Sequence, residues 1–469
     1  MESTNDFSKG SVGGNITRLA LPIILAEFIN ILYNVVDRIF IGRIPGAGTL
    51  ALTGVGVCFP LITMLSGFAG LYGTGGAPLC SIARGRKDLK RASDLMGVSF
   101  FLLVVTSLVL TGITEVFLYP LVKAFGASAA TLPYAAGYMR IYAAGTLFVC
   151  VSLGMNPFIN SMGFGNVAMM TIAIGAVLNI VLDPLFIFTF GMGVEGAAWA
   201  TVISQAASAF WIFKFLTGKK TILRLERSTV RFDAKLTKEI CALGLTGFIV
   251  NFTNSSVQLV CNRMLAVFGG DLYIAIMTVI NSIRTVISLP VTGISNGAQP
   301  VIGFNFGAGR NDRVKEAIRF QTWFSLIVTT AEWASVMLFS GPWIRLFTSD
   351  PDLLGKGIPA MRLYFLCFFM MTFQFAGQNT FTGLGKAKQA IFFSMFRKLI
   401  IVVPLTVILP RVGGLGVNGV FLAEPISDIV GGLACFLTMY FTVYRKLGDS
   451  DGEGGNGERR KNDGNSCDS

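Results

Sequence analysis

Long apolar stretches recur along the chain and are separated by short polar loops. A helix that crosses the hydrocarbon core of a membrane needs about 20 mostly apolar residues, whereas a transmembrane barrel shows alternating strands of roughly ten residues. The pattern therefore predicts an all-α, polytopic membrane protein with about twelve transmembrane helices. The predicted segments are 17–41, 48–80, 93–118, 131–157, 160–188, 194–217, 237–267, 272–300, 316–341, 357–383, 388–410 and 416–444.

Composition favours a membrane protein over a soluble one. Hydrophobic residues make up 53% and charged residues 14% of the 469 positions, against roughly 25% charged residues in a soluble domain. The chain has no histidine, and its eight cysteines show no CxxC spacing. These features argue against histidine-based catalysis, a zinc site and a disulfide framework, so we expect neither an enzyme nor a cofactor.

The formal net charge of +12 is distributed unevenly between the loops. Basic residues concentrate in alternate loops, at 84–91, 219–238, 310–319, 386–388 and 445–446, while the intervening loops carry few. This arrangement follows the positive-inside rule and predicts cytoplasmic N- and C-termini with an even number of helices. It indicates membrane lipid, and not nucleic acid, as the partner of the positive charge.

The second half of the chain repeats motifs of the first half at a nearly constant offset. The repeated pairs are 139–142 (Met-Arg-Ile-Tyr) with 361–364 (Met-Arg-Leu-Tyr), 191–196 (Gly-Met-Gly-Val-Glu-Gly) with 414–419 (Gly-Leu-Gly-Val-Asn-Gly), 85–88 with 309–312, and 163–165 with 383–385. Since each half contains an even number of helices, the two repeats have the same topology and form two lobes around a central cleft. The predicted organisation is a cytoplasmic tail at 1–14, an N-lobe at 15–218, a cytoplasmic linker at 219–236, a C-lobe at 237–447 and a disordered tail at 448–469.

Polar side chains form a stripe on the first helix. Glu27, Asn30, Asn34 and Asp37 fall on one helical face, with Tyr33 at its edge. Charged groups inside a membrane are costly and usually face a cavity or a partner. The stripe therefore predicts a cavity-lining face, with hydrogen bonding between helices as the alternative.

The fifth helix carries Asn179 and Asp183 one turn apart, followed by Pro184. Two carboxyl groups that approach each other in a medium of low dielectric cannot both stay ionised, so one of them holds a proton. If Asp37 meets Asp183, the pair forms a site that binds and releases a proton. Oxygen-rich clusters also suit a hard cation, so a sodium ion at Asp37, Asn179 and Asp183 is the second interpretation.

The second half offers mostly neutral polar candidates for a substrate cavity. Including the first helix, the predicted cavity residues are Glu27, Asn30, Asn34, Asn251, Asn254, Gln258, Asn281, Arg284, Gln378 and Glu424. Amide groups bind polar ligands but do not exchange protons, so ion coupling is expected in the first half.

Taken together, these features resemble the multidrug and toxic compound extrusion (MATE) family, in particular its bacterial DinF-like branch. The resemblance spans about 15–446 and depends on Leu-Ala-Leu-Pro at 19–22, Val-Asp at 36–37, a glycine-rich second helix, Asn-x-x-x-Asp-Pro at 179–184, and 193–201. It implies a monomer in the plasma membrane, or bacterial inner membrane, that exports organic cations and drugs by alternating access. Import of protons or sodium ions drives the export.

The resemblance also implies the residues of the coupling site. These map onto Tyr33, Asp37, Asn179, Asp183 and Thr201, with Asn156 as a further candidate. Two positions depart from the family pattern. Arg38 follows Asp37 and favours its ionised form, which weakens proton loading. The seventh helix lacks the carboxylate that the NorM-like branch uses for a second cation site.

The sequence leaves rival functions open. A lipid-linked oligosaccharide flippase of the same superfamily is the nearest alternative, but its cavity should carry several arginines or lysines. The intramembrane basic residues expected here are few, namely Arg38, Arg284 and Arg397. A membrane-embedded enzyme or a channel explains the duplicated lobes and the acid pair less well.

Overall fold

The computed structural model of the protein describes residues 6–348 and 350–447, without the side chains of Asn251 and Phe252. The described residues form helices and no strand. We number twelve segments in chain order: α1 (Val12–Gly42), α2 (Gly48–Gly85), α3 (Leu89–Val116), α4 (Leu132–Ala144 with Thr146–Ser161), α5 (Gly165–Thr189), α6 (Gly193–Thr217), α7 (Ala234–Gly269), α8 (Asp271–Ile287 with Leu289–Gly307), α9 (Asn311–Leu338), α10 (Pro351–Gly383), α11 (Ala387–Arg411) and α12 (Val417–Tyr444). Short helices at Leu118–Ala124 and Ser340–Arg345 precede α4 and α10.

Length and apolar composition confirm the predicted membrane class. Within the described ranges nine segments can each cross a membrane, and up to eleven can if each bent pair is one span. The two bent spans are α4, which turns by 58°, and α8, which turns by 43°. The remaining segment, α9, is 28 residues long and carries charged residues in its first turns. The all-α fold with about twelve helices is therefore as predicted.

Several segments contain short stretches that are not α-helical. A π-helical stretch ends α5 at Leu185–Thr189, interrupts α11 at Phe396–Val402, and ends α12 at Tyr440–Tyr444. In α10, the 3₁₀ stretch Phe368–Met370 separates Pro351–Tyr364 from Met371–Gly383. Such stretches alter which side chains share a helical face, and π-helical turns often occur at functional sites.

The described residues divide into two compact units. Unit 1 contains Asp6 and Arg18–Phe248, and unit 2 contains Phe7–Thr17 with the residues from Ile249 onward. The division therefore falls inside α1 and inside α7. The lobe boundaries predicted above, with a linker at 219–236, stay a prediction, and the predicted tails at 1–5 and 448–469 lie outside the described residues.

The repeated glycine motif has the same physical basis in both units. Gly191 and Gly193 at the start of α6, like Gly414 and Gly416 just before α12, have φ angles between 50° and 72°, in the left-handed region that glycine adopts without strain. The third glycine of each motif allows close backbone approach. A Cβ atom at Gly196 would lie 2.8 Å from the carbonyl carbon of Phe186.

Candidate functional site

Unit 1 contains a polar cavity of about 380 Å³. The predicted polar stripe of α1 forms one wall, since Glu27, Asn30, Tyr33, Asn34 and Asp37 all line it. Within the stripe, the Asn34 amide donates to the Asn30 carbonyl oxygen at 2.6 Å. The helical spacing thus brings all five side chains to one surface, away from the lipid-facing side of α1.

Beside this wall lies the acid pair, which we define as Asp37 and Asp183. Asp183 is fully buried, and its carboxyl group interacts directly with that of Asp37. The Asn179 side-chain amide donates to Asp183 Oδ1 at 3.3 Å and to Thr201 Oγ1 at 3.4 Å. Four residues proposed from the sequence, on α1, α5 and α6, therefore form one connected cluster.

The acid pair has unused acceptor atoms. Asp37 Oδ1, Asp183 Oδ2 and Asn179 Oδ1 are buried without a hydrogen-bond donor among the described residues. Buried polar atoms in folded proteins are nearly always satisfied, so such atoms often indicate an ion, a proton or a water. Three acceptors in one place suit a small cation.

Two tyrosines of α4 complete the cluster and were not predicted from the sequence. Tyr138 and Tyr142 stack with ring centroids 6.1 Å apart, and both line the unit 1 cavity. Tyr138 lies beside Thr201 and near Asp37. A signal was present, because Tyr142 ends the repeated motif whose second copy ends at Tyr364.

Two other predicted residues differ in their relation to the acid pair. The Asn156 amide donates to the Ala168 carbonyl oxygen at 3.3 Å, and Asn156 does not line the described cavity. Arg38 does line it, with its guanidinium 4.9 Å from the centroid of the Phe59 ring. Arg38 also interacts electrostatically with Asp37, and its positive charge favours the ionised form of that carboxyl group.

Unit 2 contains a second polar cavity, of about 680 Å³. Asn254, Gln258, Asn281, Arg284, Gln378 and Glu424, all predicted as cavity residues, line it. The predicted Asn251 lies outside the described side chains. Hydrogen bonds organise the amides, since Asn281 donates to Gln258 at 2.7 Å and Gln378 donates to Ser394 at 2.7 Å. The predicted substrate residues therefore belong to two cavities, one in each unit.

Charged side chains converge at one end of the unit 2 cavity. Glu424 Oε1 accepts from Arg284 at 2.7 Å, from Lys398 at 2.8 Å and from Arg397 at 2.9 Å. Arg397 also pairs with Asp428 at 2.5 Å. We call these five residues the charged cluster. Sequence reasoning named Arg284 and Glu424 as cavity residues and Arg397 as an intramembrane basic residue, but did not single out Lys398, which lies on the π-helical turn of α11. The unit 2 cavity is therefore lined by three basic residues, more than the sequence led us to expect.

A helical fold with a polar cavity inside each of two units, and with buried charges in both, defines a multi-pass membrane transporter. The family model MatE matches residues 22–185 and 248–408, which cover both repeats. The chain belongs to the MatE family, as the resemblance indicated.

The chain is also similar to proteins of nearly the same length. The chain is 26% identical over 443 residues to the multidrug export protein MepA of Staphylococcus haemolyticus, covering 93% of this chain and 94% of the relative. It is 24% identical to MepA of Staphylococcus aureus over 438 residues, covering 92% and 95%.

Solved structures agree with the fold. A crystal structure of MATE in the bent conformation superimposes with a TM-score of 0.89 at 24% identity, covering 95% of this chain and 98% of that one. A MOP superfamily transporter from Pyrococcus furiosus gives a TM-score of 0.87 at 24% identity, covering 95% and 98%.

Proposed function

We propose that the protein exports amphipathic organic cations and other drugs in exchange for protons or sodium ions. The observation that carries this proposal is the acid pair with its three unsatisfied acceptor oxygens on Asp37, Asp183 and Asn179. Two carboxyl groups in contact need a proton or a cation between them, because bare carboxylates repel each other. The relatives named multidrug export proteins support a drug as the cargo.

The residues of unit 1 suggest how an ion would be bound. Asp37 and Asp183 share the proton or sodium ion, and Asn179 contributes its free carbonyl oxygen. Thr201 accepts a hydrogen bond from the Asn179 amide and so orients it, and Tyr138 packs beside Thr201. Coupling to export requires only that the ion and the substrate favour different conformations of the transporter.

The unit 1 cavity also supports a cationic cargo. Glu27 and Asp37 line its wall together with one basic residue, Arg38. An organic ammonium group that enters this cavity meets a surplus of carboxyl groups when no coupling ion is bound. Ion loading would remove that attraction, so ion and cargo would compete for the same charge.

We further propose that the transporter is a monomer in the cell membrane with both termini in the cytoplasm. The support is the distribution of basic residues in alternate loops. In a bacterial cell this membrane is the inner membrane. Alternating access between the two units then moves the cargo outward while the ion moves inward.

The test is transport of a fluorescent organic cation in proteoliposomes, with pH and sodium gradients imposed separately. We expect Asp37→Asn and Asp183→Asn each to slow gradient-driven transport by about tenfold or more, since the neutral amide removes the ion's counter-charge. Asp271→Asn serves as the matched control, because Asp271 is an exposed acid at the start of α8. Wild-type rates in both variants under either gradient would rule out the acid pair as the coupling site.

The same vesicles test the rival flippase function. A labelled lipid-linked oligosaccharide precursor is added in place of the dye, and its transfer between leaflets is measured. We expect dye transport that depends on a gradient and no transfer of the precursor. Transfer of the precursor without dye transport would favour the flippase.

A further inference from the structure

The charged cluster of unit 2 plays no part in the ion site proposed for unit 1, and its composition is unusual for a membrane interior. It contains three basic groups, on Arg284, Arg397 and Lys398, and two acidic groups, on Glu424 and Asp428. With all five ionised, the cluster carries one surplus positive charge. Charged groups inside a membrane are costly, so a surplus charge needs a compensating partner.

The geometry concentrates this surplus in one place. All three basic groups contact the same oxygen of Glu424, at 2.7 to 2.9 Å. The Glu424 carboxylate balances one of these three charges. Asp428 balances a second by pairing with Arg397, which leaves one positive charge without a counter-charge in the cluster. A network that serves only to stabilise the fold is expected to have all its charges paired, because an uncompensated buried charge is strongly destabilising.

The basic groups that are least buried face the cavity. The side chains of Arg284 and Lys398 remain 17% and 14% exposed, against 5% for Arg397. All three line the 680 Å³ cavity, whose volume lies within the range of small-molecule sites. Arg284 also donates to the Tyr364 hydroxyl at 2.5 Å, which fixes the guanidinium at the cavity wall.

The surrounding cavity wall suits a ligand that combines an anionic group with an apolar body. Amides of Gln258, Asn281 and Gln378 supply neutral hydrogen-bonding groups. Val257, Met277, Phe375 and Val402 supply apolar surface in the same cavity. Neither set adds charge, so the electrostatic character of the cavity is set by the charged cluster.

We propose that the unit 2 cavity binds the anionic group, a carboxylate or a phosphate, of an amphipathic ligand. The ligand's charge pairs with Arg284 and Lys398 and neutralises the surplus of the charged cluster. The inference extends the proposed function, because it adds zwitterionic and anionic amphiphiles to the cargo of a transporter whose unit 1 cavity favours cations. The anionic group can come from a free organic anion or from a lipid headgroup.

The test is equilibrium binding of radiolabelled naphthoate to the full chain in nanodiscs of neutral phosphatidylcholine. A naphthyl trimethylammonium with the same ring system is the cationic counterpart. Binding needs no ion gradient, so this result does not depend on whether the acid pair drives transport.

A second experiment adds phosphatidylglycerol to the nanodisc and so tests a lipid headgroup as the ligand. Competition with naphthoate identifies a headgroup as the ligand, and lack of competition identifies the free anion.

Two variants move the charge of the cluster in opposite directions. Lys398→Met removes the surplus positive charge and should weaken naphthoate binding by about tenfold. Lys398→Arg keeps the charge and should bind naphthoate as the wild type does. Glu424→Gln increases the net positive charge of the charged cluster, so naphthoate binding should be equal to that of the wild type or tighter. Lys398→Met and Glu424→Gln should each bind the cationic counterpart without a tenfold loss. A melting curve of each variant checks that it is folded. Lys388→Met removes an exposed lysine from the first turn of α11 and is the matched control.

Naphthoate binding that is unchanged in Lys398→Met would overturn the proposal. So would an equal loss in Lys398→Met and Glu424→Gln, because a purely structural network predicts the same sign for both. Absence of binding by both naphthoate and phosphatidylglycerol would also overturn it.

Discussion

Thr201 and Glu424 occupy equivalent positions in the two halves of the chain, as the repeated glycine motif before each of them shows. The two residues nevertheless have different surroundings. Thr201 accepts from Asn179 in a cluster with two carboxyl groups, whereas Glu424 is surrounded by three basic groups. The duplicated scaffold therefore supports a site of negative character in unit 1 and one of positive character in unit 2.

Tyr138 is the residue whose role in unit 1 is easiest to isolate, because replacing it with phenylalanine removes one hydroxyl group. Tyr138 lies beside Thr201 and near Asp37, and its ring stacks on Tyr142. One polar contact at a buried site contributes about 1 kcal/mol, so loss of the hydroxyl beside the acceptor cluster in Tyr138→Phe should reduce gradient-driven efflux by about three- to tenfold with little change in melting temperature. Proteoliposome efflux and a melting curve measure both quantities.

Tyr119→Phe is the control for this prediction, since Tyr119 is 51% exposed and lies outside the cavity. It should transport at the wild-type rate. If Tyr138→Phe did the same, Tyr138 would be a packing residue without influence on the acceptor cluster.

Helix α2 is the element whose sequence is best explained by its packing. Glycines recur along one part of α2, and the structure uses several of them for close contact between helices. A Cβ atom at Gly73 would lie 2.6 Å from the Gly154 carbonyl oxygen of α4. Gly75 and Gly244 bring α2 and the first part of α7 into similar backbone contact. Small residues at helix interfaces are the usual basis of close packing in membranes.

This contact predicts different effects for two neighbouring glycines of α2. Gly73→Ala should destabilise the protein by about 1–3 kcal/mol, because the added methyl group meets backbone that cannot move aside easily. Gly70 has open space where its Cβ atom would be, so Gly70→Ala should be neutral or slightly stabilising. Thermal unfolding in detergent measures the stability of both variants. Equal melting temperatures for Gly73→Ala and Gly70→Ala would contradict the packing interpretation.

At the scale of the whole molecule, the chain alternates between long apolar helices and loops that differ in charge. The predicted consequence is a fixed orientation in the membrane. Lys90 lies in a basic loop and Lys123 in a loop with few basic residues, and both are exposed. The two positions therefore report opposite sides of the membrane.

Cysteine labelling of intact cells tests this orientation. In a cysteine-free background, Lys123→Cys should react with a membrane-impermeant maleimide, and Lys90→Cys should react only after the cells are permeabilised. The charge pattern requires this order because basic loops are retained in the cytoplasm. The reverse order would place both termini outside.

The sequence by itself determined the class of the protein and much of one site. Apolar length determines which segments cross a membrane, because the bilayer thickness is fixed. Helical periodicity determines that Glu27, Asn30, Asn34 and Asp37 share a face, because α-helix geometry is local. Both properties can be read without knowing which helices are neighbours.

Only the tertiary structure decided which polar groups meet. Arg397 and Lys398 are adjacent in sequence, and in a regular α-helix adjacent side chains point in different directions. They reach the same carboxylate because α11 has a π-helical turn at Phe396–Val402 and because α12 brings Glu424 beside it. Tyr138 likewise joins the unit 1 site through the packing of α4 on α6. Contacts between distant segments depend on helix packing, which the local pattern of apolar and polar residues does not specify.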